Sequence, residues 1–206
     1  TALGYYQKAL AIHRDLEDRR GEAKDLSNIG LMHNNLGDYE KALENYRQAL
    51  AIRQLIGDRR GEGADLVNLG LAHHNLGNTN DALTHYNKAL VVLREIGDQR
   101  GEGRVLSNMG MLFDGMGEHE QAADFLRQSL STVQETGAPE SIWRVRRRLG
   151  QVEATLGDIR SAIDHYEAAL SIVEAIREEL SAKSARSSYM RSKVYIYDEL
   201  IELLAD

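Results

Sequence analysis

The amino-acid sequence predicts an all-α solenoid, a right-handed superhelix of stacked helical hairpins with a helix capping its C-terminal end. Three observations predict it. The chain repeats at a period of 40 residues: Gly30, Gly70, Gly110 and Gly150 share one register, Ala42, Ala82, Ala122 and Ala162 a second, and Leu50, Leu90, Leu130 and Leu170 a third. A fixed period of this size marks stacked supersecondary units, which build extended concave surfaces suited to binding. Each unit also carries two stretches of helical periodicity separated by a glycine. Finally, one proline, no cysteine and 28% charged residues in 206 suit long helices better than packed sheets.

The boundaries follow from the register. Residues 1–17 align Tyr6, Ala9 and Leu10 with Tyr46, Ala49 and Leu50, so the chain opens inside a second helix, a truncated half-repeat. Its uncovered apolar face, with Leu3, Tyr6 and Leu10, is expected to allow stacking on another copy. Full repeats then span 18–57, 58–97, 98–137 and 138–181. In the second of these, Leu66, Leu69, Gly70, His73 and Leu76 line one helical face, and Ala82, Leu83, Tyr86, Ala89, Leu90 and Leu93 line the next. Gly77 fits a left-handed residue ending the first helix, and Asn78 fits the N-cap of the second, as Asp38 and Asp158 do in other repeats. Tyr46, Tyr86 and Tyr166 form an aromatic core column in which Leu126 is the exception. Arg177 stands where a junction glycine is due, so the last second helix should run on. Residues 182–206 supply a final helix after Ser181 to Ser184, with a packing stripe of Met190, Val194, Tyr197, Ile201 and Leu204 and a surplus apolar face of Tyr189, Ile196, Leu200 and Leu203.

The large, small, small, aromatic, small pattern of Leu66, Gly70, Ala82, Tyr86 and Ala89 resembles the tetratricopeptide repeat (TPR) signature. Family repeats usually run to about 34 residues; these carry extra residues around Gly57 to Glu62 and are similar to the longer TPRs of Pins/LGN adaptors, kinesin light chains and bacterial signalling proteins. The tail, Ala185-Arg186-Ser187-Ser188-Tyr189 followed by Val194 to Ile201, resembles the segment joining TPRs to the caspase-like peptidase of bacterial CHAT proteins. That resemblance implies a regulatory arm for a downstream domain, whereas the Pins-like one implies a free-standing adaptor.

On the first helix of each hairpin, positions four apart share a face. One column reads Lys24, Ala64, Arg104, Arg144 and the next reads Asn28, Asn68, Asn108, Arg148, with no acid among them. Asparagine offers a donor and an acceptor and so grips a peptide backbone, while the cations select acidic groups. The set is similar to the carboxylate clamp of co-chaperone TPRs at Lys24, Asn28, Asn68 and Arg104. Asn108 departs from the clamp's last base, which favours an internal acidic or backbone-recognised segment. Arg146 and Arg147 are expected to be solvated.

Nothing here predicts catalysis. Glu22, Glu62 and Glu102 recur at helix starts, where the dipole favours negative charge, and His33 and His73 occupy a packing position. No metal site, cofactor, nucleic-acid or membrane partner is expected: the net charge is −7, no thiolates exist, and no apolar run spans a bilayer. A cytoplasmic location fits the absence of cysteine.

Overall fold

The computed structural model describes residues 2–180, 186, 188–190 and 193–205. The expected break at Ser181 to Ser184, and Ala185 and Ser187 of the tail motif, lie outside the described residues. A single helix, α1 (Ala2–Asp15), precedes four hairpins: α2 (Arg19–Asn35) with α3 (Tyr39–Ile56), α4 (Arg59–Asn75) with α5 (Thr79–Glu95), α6 (Gln99–Gly115) with α7 (His119–Glu135), and α8 (Pro139–Leu156) with α9 (Ile159–Glu179). The last helix is α10 (Val194–Ala205). The chain divides into two compact units, residues 1–105 and 106–206, with the boundary inside α6.

Helices end every 20 residues for a local reason. Gly37, Gly57, Gly77, Gly97, Gly117, Gly137 and Gly157 all adopt positive φ, between 61° and 83°. This left-handed residue follows the end of each helix from α2 to α8, and glycine enters it without the Cβ clash other residues suffer. Glu17, at φ 54°, holds the one such position in the series without a glycine. The carboxylates of Asp18, Asp58 and Asp158 accept from the backbone N–H groups of Gly21, Gly61 and Ser161, capping α2, α4 and α9. Asn78 and Asp38 occupy N-cap positions but make no side-chain cap bond; Asp38 instead accepts from His33 Nδ1 and Lys41 Nζ, each at 3.3 Å. With no glycine at 177, α9 continues for 21 residues, longer than any helix before it.

Within a hairpin the helices close on an aromatic ring. A Cβ added to Gly70 would lie 2.5 Å from Tyr86 Cδ1, and one added to Gly30 would lie 2.7 Å from Tyr46 Cε1. Tyr46 and Tyr86 are 1% and 0% exposed, so neither ring has space to retreat. Leu126 takes the same place against Gly110, and its γ carbon would sit 2.7 Å from an added Cβ.

The terminal helices correct two expectations. On α1, Leu3, Tyr6 and Leu10 pack inward with Leu26, Ile29 and Ala49, and the outward apolar residues are Tyr5, Ile12 and Leu16. On the C-terminal side, Ile196 is fully buried and packs with Trp143 and Tyr166, joined by Tyr189, Met190, Tyr197, Leu200 and Leu203. Val194, Tyr195, Ile201 and Leu204 are exposed. The packing face therefore joins Met190 and Tyr197 of the expected stripe to the residues read as surplus, all gathered around Trp143 of α8 and Tyr166 of α9.

Gly70→Ala should lower stability by about 1–3 kcal/mol through overpacking, outweighing the roughly 1 kcal/mol that alanine gains over glycine in a helix. At Gly115, an added Cβ meets nothing within 4 Å, so Gly115→Ala should be neutral or stabilising. Glu17→Gly should raise stability by about 1 kcal/mol through relief of the left-handed strain. Urea melts of the three variants check all three outcomes.

Candidate functional site

Between residues 61 and 73 of α4, every residue is buried except Ala64, Asn68 and Leu71. These three follow i, i+4, i+7 spacing and form one narrow stripe, the only line of that helix stretch open to solvent. On α2 the same register exposes Lys24 and Leu31 and half-exposes Asn28, beside Ser27, Met32 and His33. At the start of α6, Arg104 is exposed. In the first unit Lys24 and Arg104 are thus exposed and Asn28 and Asn68 half-exposed on the first helices. In the second unit, Asn108 is half-buried, Arg144 exposed and Arg148 half-buried on the equivalent stripes.

What holds α2 beside α4 is a polar junction that the sequence reading missed. Asp65, 0% exposed, faces Arg53 of α3, whose Nε lies 2.9 Å from Oδ2 in an ion contact not aligned as a hydrogen bond. Ser27 of α2 completes it, donating to Asp65 Oδ1 at 2.7 Å and accepting from Arg53 Nη2 at 3.0 Å. Farther along, Asn75 Nδ2 donates to Asn34 Oδ1 at 3.3 Å, again joining α4 to α2. One repeat earlier the equivalent pair is His13 Nδ1 with Asp25 Oδ2, 2.7 Å apart. One repeat later the same register positions are taken by Leu93 and Val105, both buried, and in the second unit by Val133 and Val145, which share one buried cluster. Burial raises the Asp65 carboxyl to about 6, with Arg53 and Ser27 opposing the rise.

The glutamates at helix starts have partners as well. Arg14 donates to Glu22 at 2.8 Å, Gln54 to Glu62 at 3.0 Å and Arg94 to Glu102 at 2.7 Å, each reaching forward from the preceding helix. The Arg14 hydrogen bond holds Glu22 below the usual carboxylate range despite its burial. Their role is to bind one repeat to the next, which the helix dipole alone would not do.

The candidate site residues differ in what they touch. Asn28, Asn68 and Asn108 make no side-chain hydrogen bond among the described residues, and Lys24 and Arg104 make no ion pair there. Surrounding side chains desolvate the Arg104 guanidinium and draw its pKa down, although Asp98 and Tyr86 oppose this. Arg144 lies 3.8 Å from Glu140 and over the Trp143 ring, and Arg148 donates to Ser107 Oγ of α6. These two cations are partly engaged within the second unit.

Two further outcomes correct the reading. Arg147 is not solvated: it donates to Glu199 of α10 and stacks over Tyr195, 4.5 Å from the ring centre, with Gln151 reaching the same carboxylate at 3.1 Å. Arg146 is half-buried, 3.4 Å from His165 Nδ1 on α9. Both serve packing onto α9 and α10. His33 is half-buried, and His73 is buried and stacked on His85 at 5.1 Å between ring centres; burial keeps His73 below the ordinary imidazole value.

Leu31, Leu71 and Met111 are further candidates beside the asparagines. Leu31 is 41% and Met111 37% exposed, and Leu71 is half-buried. Their signal is the register, since each stands three residues after an asparagine and 40 from its neighbour. Each asparagine therefore has an apolar companion one turn along.

Glycine-closed hairpins joined by contacts between successive repeats define a helical-hairpin repeat protein. The tetratricopeptide repeat pattern matches residues 1–54 and 64–135, more than half of the chain, and the chain belongs to that family. No curated protein matches the chain in sequence. Among solved structures it is similar to BtubC (BKLC) from P. vanneervenii, with a TM-score of 0.76 and 19% identity over 98% of this chain and 84% of that one. It is also similar to aspartyl phosphate phosphatase F from Bacillus subtilis, with a TM-score of 0.79 and 16% identity, covering 98% of this chain and 55% of that one. A third is the Rap conjugation gene regulator of plasmid pLS20, solved in complex with a Phr peptide, with a TM-score of 0.74 and 18% identity over 99% and 56% of the two chains. The chain thus spans little more than half the length of the last two, and at these identities the likeness is one of fold. Among the described residues no helix is long and apolar enough to cross a membrane.

The junction pair carries a direct test. The folded Asp65 carboxyl titrates at about 6 against an ordinary 3.8, so its ionised form opposes folding as pH rises through that window. Arg53→Leu leaves that charge buried and unpaired and should cost about 3 kcal/mol or more at pH 7.5. The deficit should shrink at pH 5, where Asp65 takes up a proton. Arg53→Leu with Asp65→Val, copying the Leu93 and Val105 pair, should restore or exceed the original stability at both pH values. Urea melts at the two pH values decide it; a double variant no better than the single would refute the account.

Proposed function

We propose that this chain is a protein-interaction module that holds a partner segment on the inner stripes of its first helices. Lys24, Asn28, Asn68 and Arg104 carry binding in the first unit, and Asn108, Arg144 and Arg148 contribute in the second. One observation carries the reading: α4 is buried on every side from 61 to 73 except along Ala64, Asn68 and Leu71. The asparagine amide on that line has no partner within the described chain. Two uncharged groups, a donor and an acceptor, suit a peptide backbone, and Lys24 and Arg104 beside them suit acidic side chains. A fold neighbour solved with a peptide bound supports the mode.

The setting is proposed to be regulatory, as the sensor arm of a CHAT-type caspase-like peptidase. The exposed face of Val194, Ile201 and Leu204 on α10 favours this over a free-standing adaptor, because a helix already packed on Trp143 and Tyr166 retains apolar surface for a following domain. Reading the coding sequence beyond Asp206 tests it, and the absence of a Cys/His peptidase domain there would sink it. Self-association, the remaining alternative, would use Tyr5, Ile12 and Leu16.

Selecting a displayed library of random 12-residue peptides on the chain tests the binding face. Asn28→Ala with Asn68→Ala should weaken selected peptides about thirty-fold or more, at about 0.5–1.5 kcal/mol for each hydrogen bond removed. Asn108→Ala should have a smaller effect, and added salt should weaken binding further. Circular dichroism and melting of the variants should match the parent. Selected peptides that bind the double variant equally well would overturn the assignment.

A further inference from the structure

The first unit's stripes specify the conformation of what they bind, given the binding face proposed above. α2 and α4 touch directly through Ser27 with Asp65 and Asn34 with Asn75. Packed helices place their axes about 8–10 Å apart. Asn28 and Asn68 are therefore about one such step apart, as are Leu31 and Leu71, and each lane repeats at that interval.

Few backbone conformations repeat at this distance. A β-strand returns a side chain to the same face every two residues, about 6.6–6.8 Å. An α-helix laid across the lanes repeats each turn at 5.4 Å and satisfies its own backbone groups, leaving the asparagines nothing to hold. Polyproline II has three residues per turn and a rise of about 3.1 Å, so every third side chain returns after about 9.3 Å. Its carbonyl and N–H groups make no internal hydrogen bonds and remain open to outside donors and acceptors.

We propose that the first unit recognises an acidic segment in the polyproline II conformation, with an apolar side chain at every third position. Those side chains lie on Leu31 and Leu71, and the backbone between them is held by Asn28 and Asn68. Charge fixes the rest of the pattern. Lys24 and Arg104 stand two repeats apart in one column, with Ala64 between them and no acid on the accessible stripe. Two steps of this lane cover about six residues of such a ligand, so acidic groups about six residues apart meet the two cations. Small Ala64 leaves room for the ligand to pass between them.

The probe is a blocked 12-residue peptide made of four Leu-Pro-Glu repeats, set against an isomer of identical composition with its leucines on alternate positions. Dissociation constants come from fluorescence anisotropy at low salt. The three-residue repeat should bind at least ten-fold tighter than the isomer. Leu31→Ser with Leu71→Ser should remove the preference, and Lys24→Ala with Arg104→Ala should weaken the repeat peptide selectively at low salt. Equal binding of the two peptides, a preference for the isomer, or binding of neither would overturn the inference. The Asn28→Ala, Asn68→Ala variant separates this from the binding-face assignment: peptides bound without period preference but lost in that variant leave the face standing and remove only the ligand's conformation. If the serine variants melt lower, the peptide comparison on the unaltered chain still decides.

Discussion

An aromatic ring can lie against a helix backbone only where that backbone carries no side chain, and the hairpins of this chain depend on that condition. Gly30 and Gly70 face buried tyrosines, and Gly110 faces a buried leucine, so the second helix closes onto the first. Between residues 61 and 73 of α4, such close approach and the neighbouring junctions leave one line of the helix in contact with water. On α4 that line reads Ala64, Asn68, Leu71. The proposed binding face thus follows from the packing: residues that do not contribute to the hairpin core or the neighbouring junctions are the ones left open to solvent.

Much of this is legible in the sequence because repetition amplifies weak signals. A single glycine-to-tyrosine spacing means little, but its recurrence at 40-residue intervals identifies which glycines face rings and which end helices. Glu17 shows the same logic by exception, since only the register reveals that it occupies a glycine position. The asparagine column is legible for the same reason. What escapes is pairing across sequence distance. Asp65 reads as an ordinary helix carboxylate until Arg53 and Ser27, on two different helices, close around it. Arg147 reads as one of several solvated arginines until Glu199, far along the chain, turns toward it. Both cases involve side chains whose exposure is decided by a partner from another element. The tail is misread for a related reason: α10 has apolar residues on more than one face, and only Trp143 and Tyr166 determine which face turns inward.

The junctions between repeats show two solutions to one packing problem. Where Asp25 and Asp65 occur, the preceding helix supplies His13 and Arg53; where Val105 and Val145 occur, it supplies Leu93 and Val133. A buried ion pair seldom exceeds a well-packed apolar pair in stability, but it tolerates mismatch far less. The charged junctions lie in the unit that also carries Lys24, Asn28, Asn68 and Arg104. Ser27, a member of the Asp65 junction, sits one residue before Asn28, so the charged pair and the proposed binding stripe share one turn of α2.

This alternation has a consequence for the history of the chain. Repeat arrays grow and shrink by duplication and unequal recombination, which substitutes one hairpin for another in register. Here the exchange is not free. A hairpin opening with Asp65 delivered behind a helix ending in Leu93 would bury a carboxylate against a hydrocarbon wall, and one opening with Val105 behind Arg53 would strand a guanidinium. Crossovers are tolerated only where both halves of a junction travel together, between the second helix of one repeat and the first helix of the next. The heritable module of this protein is therefore offset from the hairpin by half a repeat.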